Sequence, residues 1–151
     1  MQLRECMTGN LRCADPSASM TDVARMMRET NVGCVPVCEG DRIQGILTDR
    51  DIAVRCVAEG HNPNQCRASG HMTREVVTAS PTMSVEEALD LMARHQVRRL
   101  PVVENNHIVG IVSLGDLAVE SGQAQRVGAS LNRISLPIHQ TEGGRPKVAA
   151  A

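Results

Sequence analysis

Displaced by 65 residues, positions 7–55 of this chain fall on positions 72–120 without a gap, and sixteen of the forty-nine pairs are identical. Random pairing at average composition gives about three. Self-similarity at one long period means that a supersecondary unit has been copied, so whatever the first copy folds into, the second must fold into as well. The identities include Met7-Thr8 on Met72-Thr73, Pro36-Val37 on Pro101-Val102, Gly45-Ile46 on Gly110-Ile111, and Asp51 on Asp116.

Each copy reads as β-α-β-β-α. A short extended segment (residues 11–14 and 76–79) runs into a proline. Ser19 and Ser84 then stand as helix N-caps, with Asp22 and Glu87 three residues on, the spacing of a capping box. Val23, Met26 and Met27, and in the second copy Ala88, Leu91 and Met92, recur at helical spacing and mark a buried face. A β-branched run (32–37 and 97–103), a polar turn and a second strand (43–47 and 108–112) make a hairpin. A second helix starts near Thr48 or Ser113. The predicted organisation is a first repeat at 1–59, a connection at 60–71, a second repeat at 72–122, and a short amphipathic helix plus disordered tail at 123–151. Val127, Leu131 and Ile134 carry that last helix.

Composition sets limits on function. There is no Phe, Tyr or Trp among 151 residues, so modes that stack bases on aromatic rings are closed. Sixteen basic residues face seventeen acidic ones, and no basic stripe suits a nucleic acid. No apolar run approaches a membrane span, and the N-terminus lacks a signal-peptide core. A cytoplasmic protein without nucleic-acid or membrane partners is the expectation.

Chemistry concentrates at Gly45-Ile46-Leu47-Thr48-Asp49-Arg50-Asp51 and its copy, Gly110-Ile111-Val112-Ser113-Leu114-Gly115-Asp116. A hydroxyl at a helix start beside free backbone N–H groups suits a phosphate. An ionised Asp can accept both hydroxyls of a ribose diol. The same residues also spell a plain capping box, and both readings stand. No nucleophile–base pair or paired-carboxylate arrangement stands out, so a non-enzyme is expected.

These residues resemble the CBS domain. The β-α-β-β-α unit opens at Met-Thr, carries Val35-Pro36-Val37 or Leu100-Pro101-Val102-Val103, and closes on the Gly-to-Asp motif. The resemblance covers about residues 3–120, and the tandem pair is similar to a Bateman module of the small stand-alone bacterial type. It implies an α/β (α+β) fold of two repeats packed sheet to sheet about a pseudo-twofold axis, with clefts between the repeats for AMP, ADP, ATP or S-adenosylmethionine. It further implies that Asp51 and Asp116 hold ribose, and that Thr48 and Ser113 contact phosphate or ribose. Backbone near Ala14 and Ala79 would read the adenine edge, and Val35, Pro36, Leu100 and Pro101 would wall the base. Arg98 and Arg99 match a basic pair that meets phosphate, where the first copy has Gly33 and Cys34. Arg50 is a further phosphate candidate. A homodimer is expected, buried through Ile52, Val54, Leu117 and Val119, acting on an unidentified regulated protein.

Six cysteines, at 6, 13, 34, 38, 56 and 66, form no C-x-x-C, so zinc-ribbon and thioredoxin patterns are absent. Cys13 and Cys38 end two strands that a β-α-β crossover makes parallel, which allows a disulfide or a shared metal there. Buried thiols acting as small hydrophobes are the simpler reading. His71, His95 and His107 show no metal-like spacing among themselves, and no metal is expected. The alternatives to a nucleotide sensor are a redox- or metal-responsive stress protein using Cys13 and Cys38, and a scaffold with empty clefts.

Overall fold

The computed structural model describes residues 1–136. The expected tail lies largely outside them. The chain forms two compact units, and their boundaries differ from those of the sequence repeats. One unit combines Met1–Gly9 with Val77–Glu104 and the described residues 109–136, and the other combines Asn10–Val76 with Asn105–Ile108. We call them the C-terminal and N-terminal units.

In the N-terminal unit, α1 (Met20–Thr30) leads to β1 (Cys34–Glu39) and β2 (Arg42–Thr48), an antiparallel hairpin turned at Gly40 with φ +63°. Helix α2 opens at Asp49–Asp51 and continues as a π-helical Ile52–Val57. The short α3 (Ala68–His71) follows. The C-terminal unit repeats the pattern with α4 (Val85–His95), β3 (Arg99–Glu104), β4 (His107–Ser113) and α5 (Leu114–Glu120), then adds α6 (Ala124–Ile134). The α+β class is as expected.

The expected opening strands are reduced to one residue each. Ala14 makes a parallel bridge with Val37 and Ala79 one with Val102, and neither segment adds more than that single bridge to its two-stranded sheet. The caps form: Ser19 accepts from the Asp22 N–H, and Ser84 and Glu87 make a reciprocal box.

The repeated Met-Thr has a structural reason. Thr73 bridges to Ile46, and Thr8 to Ile111. A Cβ on Gly45 would lie 2.6 Å from the Met72 sulfur and 2.8 Å from the Thr73 carbonyl; on Gly110 it would lie 2.6 Å from the Met7 sulfur. The opening of each repeat therefore lies across the hairpin of the other repeat, inside one unit, and only a residue without Cβ lets it so close.

Each unit has its own core. Met20, Val23, Val35, Val37, Leu47, Cys56 and Ala68 fill the N-terminal one. Leu3, Val85, Leu89, Met92, Leu100, Val102, Val112 and Leu117 fill the C-terminal one. Two expectations are corrected here. Leu117 is fully buried, which stabilises the unit itself by about 1.5–3 kcal/mol and leaves nothing for an outer face, and Ile52, half-buried, packs partly on its own unit's core. Val54 and Val119 do point outward, Val119 at 81% exposure. In α6 the inner face is Val127, Ser130 and Ile134, while Leu131 is exposed, because i, i+3, i+7 is the stripe that meets α4 and α5.

Candidate functional site

The Gly-to-Asp motif sits where a strand hands over to a helix. In the N-terminal unit Thr48 ends β2 and caps α2. Its Oγ1 accepts from the Asp51 N–H at 3.1 Å, and the Asp51 Oδ2 accepts from the Thr48 N–H at 3.0 Å. The capping reading of the motif is realised. It does not exhaust the groups: the Thr48 hydroxyl still has a proton to donate. Asp51 is 2% exposed, and its Oδ1 is buried without a hydrogen-bond donor. Arg55 Nε stands 3.6 Å from that oxygen, too far for a hydrogen bond, on a side chain one-third exposed. A buried carboxylate oxygen left without a donor is costly, so Oδ1 is the unsatisfied acceptor of this junction.

The second junction is built alike. Ser113 Oγ accepts from the Asp116 N–H at 3.1 Å and Asp116 Oδ2 accepts from the Ser113 N–H at 2.8 Å. Its surroundings differ in charge. The Asp49 N–H donates to the Gly33 carbonyl at 3.0 Å, and at the equivalent place the Leu114 N–H donates to that of Arg98 at 2.8 Å. Arg98 is thereby held by its backbone at the start of its own repeat's helix, with an exposed side chain. Arg99, half-buried, opens β3. Arg50 is exposed on α2. The second junction carries arginine where the first carries glycine and an aspartate.

Of the residues expected to wall a base, all on the hairpins, two are turned into the cores. Val35 and Leu100 are buried in the two clusters, and Pro36 and Pro101 are buried beside them. Ala14 donates its N–H to the Pro36 carbonyl at 2.8 Å and accepts from the Cys38 N–H at 2.9 Å. Ala79 does the same with Pro101 and Val103, both at 2.9 Å. Their amide protons are spent on the parallel bridge, leaving the second carbonyl lone pair of each for another donor.

None of the six cysteines is in a disulfide. Cys13 and Cys38 are brought together: the Cys38 thiol hydrogen-bonds the Cys13 sulfur, which pulls the Cys13 thiol below its ordinary range and pushes Cys38 up. Burial adds to the rise at Cys38. Among the described residues no third ligand completes a metal site with this pair. A different cluster does form. Cys56, Cys66 and His71 place one ligand atom each within 4.8 Å of one another. Sequence reading missed it because C-x9-C-x4-H is no recognised spacing; the turn through residues 58–66 closes it. A groove of about 140 Å³ between α4 and α6, lined in part by Glu86, Asp90, Arg126 and Arg133, contains none of the expected site residues.

The CBS domain family matches the chain twice, over residues 3–57 and 68–121. CBS domain-containing protein YhcV of Bacillus subtilis is 43% identical over 133 residues, covering 88% of this chain and 94% of that one. A crystal structure of Hypoxic Response Protein I with two coordinated zinc ions is similar at TM-score 0.74 and 35% identity, over 80% of this chain and 98% of that one. A hexameric CBS-CP12 protein from bloom-forming cyanobacteria is similar at TM-score 0.72 and 30% identity, over 83% and 74%. Among the described residues no helix is long and apolar enough to cross a membrane.

Proposed function

The chain belongs to the CBS-domain family as a tandem pair of the regulatory kind, and from that premise we propose that it is a non-catalytic sensor of adenosine derivatives. The observation that carries this reading is Asp51: a buried carboxylate whose Oδ2 is committed to a cap while Oδ1 lacks a donor. A ribose hydroxyl supplies the missing donor, displacing the partly exposed Arg55. Thr48 offers its hydroxyl proton beside it. Asp116 and Ser113 repeat the reciprocal cap at a half-buried carboxylate, with Arg98 and Arg99 as the phosphate partners. The base lies against aliphatic surface near the hairpins, since the chain has no aromatic ring to stack on. AMP, ADP, ATP and S-adenosylmethionine share the required ribose and adenine.

The test is titration of a fluorescent adenine nucleotide analogue, read without Trp or Tyr background, followed by competition with the four natural candidates. Saturable binding displaced by at least one of them supports the reading. No binding of the analogue and no thermal shift with any candidate overturns it.

The assembly we propose is a homodimer whose contact includes the exposed Val54 and Val119. Oligomer formation in the hexameric CBS-CP12 relative supports association in general. A monomer in sedimentation at micromolar concentration overturns this part.

A second reading, redox or metal response, is favoured by the hydrogen-bonded Cys13–Cys38 pair and by the zinc ions of Hypoxic Response Protein I. It predicts bound metal or, after a two-electron oxidant such as a peroxide has closed a disulfide, a mass two hydrogen atoms lower, and indifference to nucleotides.

A further inference from the structure

We propose that Cys56, Cys66 and His71 form a binding site for one zinc-class divalent ion, independent of nucleotide binding and of the Cys13–Cys38 pair. Three ligand atoms within 4.8 Å of one another are close to what a tetrahedral ion needs. Zn–S bonds of about 2.3 Å and Zn–N of about 2.0–2.1 Å set ligand separations of roughly 3.5–3.8 Å. Closing from 4.8 Å takes about 1 Å, which side-chain rotation supplies. Two thiols and an imidazole are the soft and borderline donors that select zinc over calcium or magnesium.

The surroundings fit the role. His71 Nδ1 lies 3.0 Å from the Arg67 carbonyl. A carbonyl only accepts, so Nδ1 carries the proton and Nε2 keeps its lone pair, the orientation that a backbone carbonyl commonly imposes on a metal-binding histidine. Cys56 is fully buried and Cys66 and His71 half-buried, so the ion enters from the side of the latter two. Cys56 sits on the π-helical segment of α2, an irregularity frequent at functional sites. The corresponding α5 is regular, and Ser121 stands where Cys56 would repeat.

Binding breaks two S–H bonds, forms two metal–sulfur bonds and one metal–nitrogen bond, and releases two protons to water. No electron is transferred. Two thiolates neutralise the ion's charge, and the fourth position is left to a water molecule. The product is a clip joining the end of α2, the following loop and α3.

The test uses the full chain, reduced and stripped with a chelator, titrated with cobalt(II) as probe and then with zinc. One cobalt per chain should bind with tetrahedral visible bands and a thiolate-to-metal charge-transfer band, the latter in a region that no Trp or Tyr obscures here. Cys66→Ser and His71→Gln, both at half-buried positions and checked for folding by circular dichroism, should each weaken zinc at least tenfold. Cys13→Ser should leave the spectrum unchanged. A spectrum without thiolate bands, a band that survives both site variants, or one lost with Cys13→Ser overturns the proposal.

Discussion

The Asp49 amide donates to the Gly33 carbonyl at 3.0 Å, and a Cβ on Gly33 would lie 3.0 Å from the Asp49 Oδ2. A carboxylate thus covers the first junction at the place where the second presents Arg98. The second junction should favour phosphorylated ligands and the first should not. Arg98→Ala is expected to weaken ATP by about tenfold, the scale of one exposed charge-assisted contact, and to leave adenosine unchanged. The double change Gly33→Arg with Asp49→Leu should raise ATP affinity at the first junction, since the blocking atom is the end of an exposed side chain. Competition titrations of ATP against adenosine in both variants decide it. Equal loss of both ligands in Arg98→Ala would place Arg98 outside phosphate recognition.

Asp51 caps α2 and, in the proposed reading, holds the ligand, and one substitution separates the two. Asp51→Asn retains a carbonyl oxygen to accept the Thr48 N–H, so the cap persists and stability should change by less than about 1 kcal/mol, near the value of a whole cap. The charge and the second acceptor are lost, so adenosine binding should weaken at least tenfold. Urea unfolding followed by circular dichroism gives the first number and analogue titration the second. Unaltered binding in a well-folded Asp51→Asn protein would reduce Asp51 to a capping residue.

The repeat, the longer helices, the hairpins and the capping residues could be read from the sequence because each rests on local spacing, whereas the short α3 falls in the stretch expected as a connection. Ser84-x-x-Glu87 caps α4 whatever surrounds it. What could not be read depends on segments far apart in the chain. Gly45 and Gly110 look like ordinary strand-end glycines until Met72-Thr73 and Met7-Thr8 are seen lying on them. The strands expected at 11–14 and 76–79 shrink to single bridges, because Ala14 and Ala79 alone meet the hairpin. Leu117 and Val119 are both apolar residues of one helix, and only packing tells which is core. At the candidate site, Thr48 with Asp51 and Ser113 with Asp116 were legible as pairs. The missing donor at Asp51 Oδ1 and the gathering of Cys56, Cys66 and His71 were not, since both are products of tertiary closure.

That closure gives a stability prediction. Gly45→Ala places a methyl 2.8 Å from the backbone oxygen of Thr73, which cannot rotate away. It should destabilise the protein by about 1–3 kcal/mol, the usual range for an overpacked site. Gly115→Ala, whose Cβ would meet nothing nearer than the Ser113 Oγ at 3.6 Å, is the matched control and should be near neutral. Chemical denaturation of the two variants checks the contrast. Equal stability would mean that the Met72-Thr73 segment does not lie on the hairpin in solution.

The thiol pair gives a pH prediction with a definite sign. Cys13 is held below the ordinary thiol range by the hydrogen bond from Cys38, so its thiolate is present at lower pH than that of an unperturbed cysteine. The thiolate is the reactive form. Alkylation of Cys13 by iodoacetamide should therefore set in at lower pH than at a free cysteine, and Cys38, pushed up by the same bond and by burial, should stay unmodified. Replacing Cys38 with alanine removes the donor. The Cys13 rate profile should then move to higher pH, and its rate at neutral pH should fall. Peptide mass mapping of alkylation against pH, in the natural chain and in Cys38→Ala, measures both. A Cys13 profile indifferent to Cys38 would show that the two sulfurs are not hydrogen-bonded in solution, and with that the redox reading of this pair would lose its footing.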